Sequence, residues 1–151
     1  MALKITIGSE HAGAEYACRL AEWLQNAGHE TKLIQETSEL CEYPAIAQAV
    51  CNDVLHNRCS LAILICGTGI GMSMAAGKLP GIRAALCTNT YMGKMAKMHN
   101  NANVLVFGSR VIGFAHLLDI LTAFMKADYE GGRHEARLKS LMELDSLYRT
   151  L

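Results

Sequence analysis

A continuous apolar run, Leu61–Cys66, is the feature that most restricts the fold of this chain. Its residues do not alternate with polar ones, so the strand that they predict is buried on both faces. Strands of that kind belong to parallel sheets covered by helices on both sides. The run ends directly at the glycine-rich segment 67–71, so a tight turn follows it. The sequence therefore predicts an α/β fold with a turn at the carboxyl end of a central strand.

Short apolar runs alternate with helical patterns along the rest of the chain. Such repeated strand–helix units give an open parallel sheet with helices on both faces. We therefore predict a Rossmann-like three-layer sandwich, with a central five-stranded parallel sheet, in one domain over residues 1–151. The predicted strands are 3–7, 31–34, 61–66, 83–86 and 104–107, and the predicted helices are 12–26, 43–56, a short one from 72, 92–98, 114–126 and 134–148.

Charge and cysteine usage exclude several classes of function. Lys plus Arg and Asp plus Glu number 14 each, so no net charge attracts the chain to nucleic acid or an anionic membrane. No apolar stretch of about 18 residues suggests a membrane span. The six cysteines lack C-x-x-C spacing, which favours free thiols in a reducing cytoplasm over a disulfide framework. We expect a cytoplasmic protein with neither a nucleic-acid nor a membrane partner.

The turn at 67–71 and the cysteine before it form the first candidate site. A strand, a G-x-G-x-G turn and a helix bring backbone N–H groups together, which suits a phosphate or a developing oxyanion. Cys66 directly precedes these donors, and a thiolate there can act as a nucleophile or a base. Both features also have purely structural interpretations, since tight turns need glycine and most buried cysteines only pack.

Histidines and arginines elsewhere form a second group of candidates. His11 and His99 lie in predicted connecting segments, where either can transfer a proton near neutral pH. Asn100 follows His99 and offers an amide to hydroxyl groups. Arg133 and Arg137 are four residues apart, so they share a face once a helix has begun, and arginine suits phosphate. Taken alone, each is more often a surface residue than a functional one.

Seven ordered motifs together resemble the type B ribose-5-phosphate isomerases and the related galactose-6-phosphate isomerase subunits. The resemblance runs from Ile5 to about Arg137 and is far more specific than any single motif. The motifs are Gly8-Ser-Glu-His-Ala-Gly13, Glu42-Tyr-Pro44, Ile65-Cys-Gly-Thr-Gly-Ile-Gly-Met-Ser73, Pro80-Gly-Ile-Arg-Ala-Ala85, His99-Asn100 with Asn103-Val104, Phe107-Gly-Ser-Arg110 and Tyr129-Glu-Gly-Gly-Arg-His134.

The resemblance implies an aldose–ketose isomerase that interconverts ribose 5-phosphate and ribulose 5-phosphate through an enediolate. Cys66 would be the base and His99 the acid that assists ring opening. Thr68 and the N–H groups of 67–71 would hold the enediolate oxygen. The residues implied to contact the sugar are Glu10, His11, Tyr43, Gly67, Gly69, Ile70, Gly71 and Asn100, and those implied to hold the phosphate are His11, Arg110, Arg133 and Arg137.

The resemblance also implies an assembly and a cofactor requirement. The family works as a homodimer or a tetramer with sites at the subunit interface, and it uses no metal or organic cofactor. The C-terminal helix, residues 134–148, would then lie at the dimer interface. A phosphorylated sugar is the expected small-molecule partner.

Two features separate this sequence from the usual family pattern. The usual Asp-His pair after the first strand is Glu10-His11 here, and the usual Asp-Tyr-Pro begins with Glu42. Each change keeps the charge and adds one methylene.

One branch of the family carries a glutamate base inside the glycine turn. Here Cys66 is present and position 70 is Ile, so the sequence resembles the cysteine branch.

Three alternative functions remain open at this stage. An isomerase of a hexose 6-phosphate, such as allose or galactose 6-phosphate, would use similar catalytic residues. A nucleotide-binding module would need an acidic residue after the second strand, and Glu36 lies there, but the glycine turn follows the third strand instead of the first. A thiol redox protein would require a C-x-x-C pair, which the sequence lacks.

Overall fold

The computed structural model describes residues 1–38 and 40–148. No helix in that part of the chain is long and apolar enough to cross a membrane. The strands are β1 (Lys4–Ser9), β2 (Glu30–Gln35), β3 (Leu61–Cys66), β4 (Ala84–Leu86) and β5 (Val104–Gly108). The helices are α1 (Ala14–Asn26), α2 (Tyr43–Leu55), α3 (Ile70–Gly77), α4 (Thr90–Met98), α5 (Phe114–Met125) and α6 (Arg133–Leu147), and a short 3₁₀ turn, His11–Gly13, precedes α1.

The five strands form one parallel sheet in the order β2-β1-β3-β5-β4. From β1 the chain first adds β2 on one side and then returns to add β3 on the other. The order of the strands therefore reverses between β1 and β3, and the crevice at their carboxyl ends is where ligands bind in open sheets of this kind. The predicted five-stranded parallel α/β architecture is confirmed.

Strand β3 contributes to two separate cores because its side chains alternate between the faces of the sheet. Leu61, Ile63 and Ile65 pack in the cluster that contains residues of α1, α4 and α5. Ala62, Leu64 and Cys66 pack in the cluster that contains residues of α2 and α3. The last residue of the strand therefore has its thiol on the α2–α3 side, directly before the turn into α3.

The structure moves three predicted helix starts at the carboxyl edge of the sheet, among them that of α4, which begins at Thr90 instead of residue 92. The helix predicted from residue 12 begins instead with the short turn His11–Gly13, and α1 proper starts at Ala14. Helix α3 starts at Ile70, two residues before the predicted start at 72. Gly69, which precedes α3, has φ 79°, a left-handed conformation that glycine adopts readily. Because of that conformation, the helix begins earlier in the chain than the pattern of apolar residues indicates.

Helix α6 is attached to the rest of the domain mainly along one side. Asp145 Oδ2 accepts a hydrogen bond from the Gly81 N–H at 2.8 Å. Helix α6 begins with Arg133 and His134. His134 is the buried residue of this helix, and its ring stacks on His99 at the end of α4. Three leucines of this helix are nevertheless exposed, namely Leu141, Leu144 and Leu147. Exposed leucines that are grouped on one helix are typical of an interface.

Candidate active site

A cleft of about 240 Å³ lies at the carboxyl ends of β1 and β3. The segment after β1, the turn after β3 and the loop after β5 supply most of its wall, and α2 adds one aromatic side chain. The residues that line it are Glu10, His11, Ala12, Tyr43, Cys66, Gly67, Thr68, Gly71 and Arg110. The structure thus brings together most of the residues predicted to bind sugar and two of those predicted to bind phosphate, His11 and Arg110.

The thiol of Cys66 accepts a hydrogen bond inside this cleft. The Gly69 N–H donates to Cys66 Sγ at 3.1 Å, and the cysteine is 8% exposed. A backbone N–H donor therefore lies on the sulfur that lines the cleft. The Ile70 N–H donates to Thr68 Oγ1 at 3.2 Å, so the threonine side chain lies over the first turn of α3. The cleft therefore combines a hydrogen-bonded thiol with a hydroxyl group and the N-terminus of a helix.

Glycine is required at two positions of the turn for different reasons. At Gly69 the backbone is left-handed, and an added Cβ would approach Leu86 Cδ1 to 2.5 Å. At Gly71 an added Cβ would meet the ring of Tyr43, with Cζ at 2.8 Å. The absence of side chains there lets the turn fit between α2 and the end of β5. The tyrosine ring can then form a wall of the cleft.

The side chains of Glu10 and His11 are in contact at the end of β1. Glu10 Oε2 lies 2.8 Å from His11 Nδ1, while Glu10 Oε1 accepts a hydrogen bond from the Ala12 N–H at 3.0 Å. Glu10 is buried and His11 is exposed. The carboxylate therefore holds both the short turn after β1 and the imidazole that borders the cleft.

The loop after β5 is bonded to the turn after β3. The Ser109 N–H donates to the Cys66 carbonyl at 2.9 Å, and the Arg110 N–H donates to the Gly67 carbonyl at 3.0 Å. Ser109 Oγ donates to the Ala12 carbonyl at 2.6 Å, which joins the same loop to the turn after β1. These bonds place the exposed guanidinium of Arg110 at the mouth of the cleft, beside Gly67.

A second cleft, also of about 240 Å³, contains the remaining predicted residues. It is lined by His99, Asn100, His134, Arg137, Leu138 and Leu141. Arg133 borders it, because its Nε donates to His134 Nε2 at 3.3 Å. No hydrogen bond or ion pair among residues 1–38 and 40–148 joins this second cleft to the first. Within one chain, the predicted base Cys66 and the predicted acid His99 therefore line different clefts.

The sequence analysis assigned no role to two residues here: His134, which lines the second cleft, and Glu130, which lies beside its two histidines. The rings of His99 and His134 stack with their centroids 4.2 Å apart and their planes 13° apart. Glu130 Oε2 lies 3.4 Å from His134 Nε2 and 3.9 Å from His99 Nε2. The sequence shows both residues within the motif Tyr129-Glu-Gly-Gly-Arg-His134. It gives no sign of their contact with His99, because that contact joins segments that are distant in the chain.

The protonation state of His134 follows from its surroundings. Desolvation by burial, followed by the nearby His99 and the Arg133 guanidinium, lowers its pKa below the ordinary value of 6.5, although Glu130 opposes this shift. The ring is therefore neutral near pH 7. Its Nε2 faces two groups, the Arg133 Nε–H at 3.3 Å and Glu130 Oε2 at 3.4 Å.

His99, Glu130 and His134 are the group among the described residues whose geometry could hold a metal ion, with ligand atoms within 4.8 Å of one another. The electrostatics of the group oppose a cation. Arg133 Nε occupies the Nε2 side of His134, and Arg137 also lowers the pKa of that histidine. Two guanidinium groups beside one carboxylate favour an anion at this position.

Comparison with known proteins agrees with this arrangement. A family profile described as Ribose/Galactose Isomerase matches residues 5–141. Ribose-5-phosphate isomerase B of Escherichia coli is 38% identical over 145 residues, which cover 94% of this chain and 96% of that protein. The structure of Clostridium thermocellum ribose-5-phosphate isomerase B superimposes with a TM-score of 0.92 at 41% identity, covering 96% of this chain and 99% of the other. D-erythrulose-4-phosphate isomerase of Pectobacterium atrosepticum is 34% identical over 141 residues, covering 92% and 93% of the two chains.

Proposed function

Because the chain belongs to the ribose/galactose isomerase family, it is an aldose–ketose isomerase, and we propose that it interconverts ribose 5-phosphate and ribulose 5-phosphate. The observation that carries this proposal is the hydrogen bond from the Gly69 N–H to Cys66 Sγ, 3.1 Å long, in a cleft with anion-binding groups. An isomerase of this type must remove a proton from carbon next to a carbonyl. A base beside an anion-stabilising turn meets that need.

Cys66 acts as the base that carries a proton between C1 and C2 of the sugar. The surroundings of the other buried thiols support this choice. Burial, with Cys59 nearby, raises the pKa of Cys51 to about 12, and burial raises the pKa of Cys87 to about 11, so both stay protonated. Cys66 instead lines the cleft and accepts a backbone N–H donor.

The N-terminus of α3 stabilises the enediolate oxygen. Gly69 caps this helix without a side chain, and the Ile70 N–H donates to Thr68 Oγ1, so the N–H groups that follow Ile70 in the first turn are the ones that can meet an anion. The Thr68 hydroxyl lies beside them and can donate to the same oxygen. When Cys66 takes the proton from carbon, the negative charge that forms on the carbonyl oxygen meets donors already in place.

The phosphate is held by basic groups remote from the reacting carbons. Arg110 and His11 border the first cleft, whereas Arg133 and Arg137 border the second. Arginine binds phosphate through two parallel N–H donors, which fixes the position of the sugar as well as its charge. Asn100 in the second cleft supplies an amide for the sugar hydroxyl groups.

The active enzyme is a homodimer in which the second cleft of one subunit completes the first cleft of its partner. Cys66 and His99 line separate clefts within one chain, although ring opening and proton transfer need one continuous site. The exposed leucines of α6, Leu141, Leu144 and Leu147, support a subunit interface at the second cleft, which Leu141 lines. A two-fold assembly would create two identical shared sites. Sedimentation would separate the dimer from a tetramer of the same units.

A tetrose phosphate is a second candidate substrate. The Pectobacterium relative is a D-erythrulose-4-phosphate isomerase by name, and it covers nearly the whole chain. Glu10 is one methylene longer than the usual aspartate, and a longer side chain at the cleft favours a shorter sugar over a hexose phosphate. The same chemistry at C1 and C2 would apply.

Turnover of three phosphosugars by wild-type protein and Cys66→Ala tests the proposal. We expect the highest kcat/KM with ribose 5-phosphate, lower values with erythrose 4-phosphate and allose 6-phosphate, and almost no turnover by Cys66→Ala. Exposed Cys18→Ala is the matched control and should retain wild-type turnover. If Cys66→Ala keeps more than about a tenth of wild-type turnover, another group is the base. A wild-type protein that isomerises none of the sugars refutes the proposed function.

A further inference from the structure

We infer that Glu130 and His134 are positioning residues for His99, and that together they serve the opening of a cyclic sugar phosphate. This inference rests on the proposed function, in which His99 is the acid for that step. Neither residue needs to touch the substrate to have this effect. Each acts through the orientation of the His99 ring and the location of its proton.

The first observation concerns the orientation of the His99 ring. His99 ends α4, where its side chain is only partly buried. The nearly parallel ring of His134, 4.2 Å away, covers one of its faces. His134 itself is fixed, since it is buried at the start of α6 and its N–H donates to the Gly131 carbonyl at 2.9 Å. A fixed ring against a partly exposed ring reduces the rotamers available to His99.

The second observation explains how α6 reaches His99. The Glu130 N–H donates to the Met98 carbonyl at 3.0 Å, which joins this segment to the end of α4. Gly131 and Gly132 then adopt positive φ values of 61° and 54°. Glycine tolerates two successive residues in that conformation, so the chain can reverse and begin α6 within three residues of Glu130. The turn brings Glu130 and His134 to the same histidine.

The third observation concerns the proton that His99 has to deliver. Glu130 Oε2 lies within ion-pair range of both imidazoles, at 3.4 Å from His134 Nε2 and 3.9 Å from His99 Nε2. Arg133 Nε–H already donates to Nε2 of the neutral His134, and Glu130 Oε2 also faces His99 Nε2. Arg133 and Arg137 oppose the effect of the Glu130 carboxylate on the pKa of His134.

Ring opening uses that proton directly. In the furanose form of ribose 5-phosphate, the C1–O4 bond breaks and O4 takes the proton from His99. The electron pair of the C1 hydroxyl bond forms the C1=O double bond, and the hydroxyl proton passes to water. An imidazole held in the correct plane contributes to this transfer through general acid catalysis. The enediolate step at Cys66 needs none of these groups.

A pair of aldose phosphates separates ring opening from isomerisation. Ribose 5-phosphate is mostly cyclic, whereas erythrose 4-phosphate cannot form a furanose because its O4 carries the phosphate. We expect Glu130→Gln and His134→Gln to lower kcat/KM for the pentose by roughly 10- to 100-fold, and for the tetrose by less than about 3-fold. His134→Phe restores a ring against His99 and should recover part of the loss. The matched controls are Glu135→Gln and His116→Gln, both at exposed positions.

Binding of an acyclic phosphosugar acid provides a second readout that does not depend on turnover of the tetrose. The Kd of 4-phosphoerythronate, an open-chain acid phosphate, should stay within about 3-fold of the wild-type value in both Gln variants, since no ring is opened. Equal losses on the two sugars, or a Kd that weakens in parallel with pentose turnover, would overturn the inference and indicate a role in folding or assembly. Wild-type pentose turnover in both variants would also overturn it. A wild-type protein inactive on both sugars contradicts the proposed function instead.

Discussion

Glu10 Oε2 lies 2.8 Å from His11 Nδ1, and the other oxygen of the same carboxylate accepts the Ala12 N–H at 3.0 Å. Both oxygens of Glu10 are therefore bonded to the protein itself. The role of Glu10 as a sugar ligand stays a prediction, but its effect on His11 follows from this geometry. One of the two residues that depart from the usual family pattern is thus the one that holds the first histidine of the cleft.

Shortening this side chain tests its importance. Glu10→Asp restores the usual family residue, but its carboxylate is one methylene shorter and cannot keep both contacts without movement of the backbone. We expect kcat/KM for ribose 5-phosphate to fall by as much as about 100-fold, because misplacement of about 1 Å has that effect at a reacting site. Steady-state kinetics measures the change. Glu15→Asp, on the exposed face of α1, is the control, and unchanged kinetics in Glu10→Asp would show that the aspartate fits equally well.

Mixed subunits test whether the two clefts form one site. Cys66→Ala damages the first cleft and Arg137→Ala the second, so a heterodimer of the two variants contains one intact shared site. With random exchange, we expect about a quarter of wild-type turnover to return, since half of the dimers are mixed and each has one intact site of two. Turnover after mixing and re-equilibration measures this recovery.

A second mixture controls for trivial effects of exchange. Cys66→Ala and Arg110→Ala both affect the first cleft, so no mixed dimer of these variants gains an intact site. Turnover of this mixture should therefore not exceed the residual turnover of Arg110→Ala alone. Equal behaviour of the two mixtures, with exchange verified by mass spectrometry, would place each site within one subunit.

Asp53 stabilises the fold away from the clefts. Its buried carboxylate accepts hydrogen bonds from Thr6 Oγ1 at 3.0 Å, Lys32 Nζ at 2.8 Å and Arg58 Nε at 2.7 Å. Burial alone would raise the pKa of Asp53, but the bonds from Lys32, Arg58 and Thr6 outweigh it, and the pKa lies below the ordinary 3.8. The stabilisation is therefore present above pH 3.8 and is lost as the pH falls through the pKa in the folded state.

Asp53→Asn keeps the shape of this side chain and removes its charge. We expect the free energy of unfolding to fall by about 1–3 kcal/mol at pH 7, a range that allows for the solvent exposure of Lys32 and Arg58. Urea unfolding at pH 7 and near pH 3 measures it. The difference in the free energy of unfolding between the wild type and Asp53→Asn should be smaller at the lower pH. A difference that is independent of pH would show that charge is not the cause, and exposed Asp119→Asn should change neither value.

The sequence predicts most clearly what depends on neighbours along the chain. Leu61–Cys66 is an uninterrupted apolar run, so β3 has the predicted bounds, and the sheet built around it is confirmed. The start of α3 was wrong by two residues, because the left-handed Gly69 and the Tyr43 ring over Gly71 decide where the helix begins. Both effects depend on the packing of α2 against the turn.

The features that the sequence did not reveal all join distant segments. The stack of His99 on His134 needs the reversal at Gly131 and Gly132. The separation of Cys66 from His99 into two clefts needs the path of the whole chain around the sheet. Motifs identify which residues occur together in a family, but they carry no distances. The structure therefore supplies the division of the predicted site and the partners of His99.

Arg137 offers the cleanest test of phosphate binding, because Arg133 also donates to His134 and its loss would disturb two functions. Charge-assisted hydrogen bonds contribute about 1.5–3 kcal/mol, so Arg137→Ala should lower kcat/KM for ribose 5-phosphate by roughly 10- to 150-fold. The residual turnover of unphosphorylated ribose should change little, since it lacks the group that the guanidinium holds. Arg137→Lys should recover part of the loss, because it keeps the charge but not the planar pair of donors. Exposed Lys139→Ala on the same helix is the control. An equal loss on both sugars would indicate an effect on assembly through α6, and no loss on either would remove Arg137 from the site.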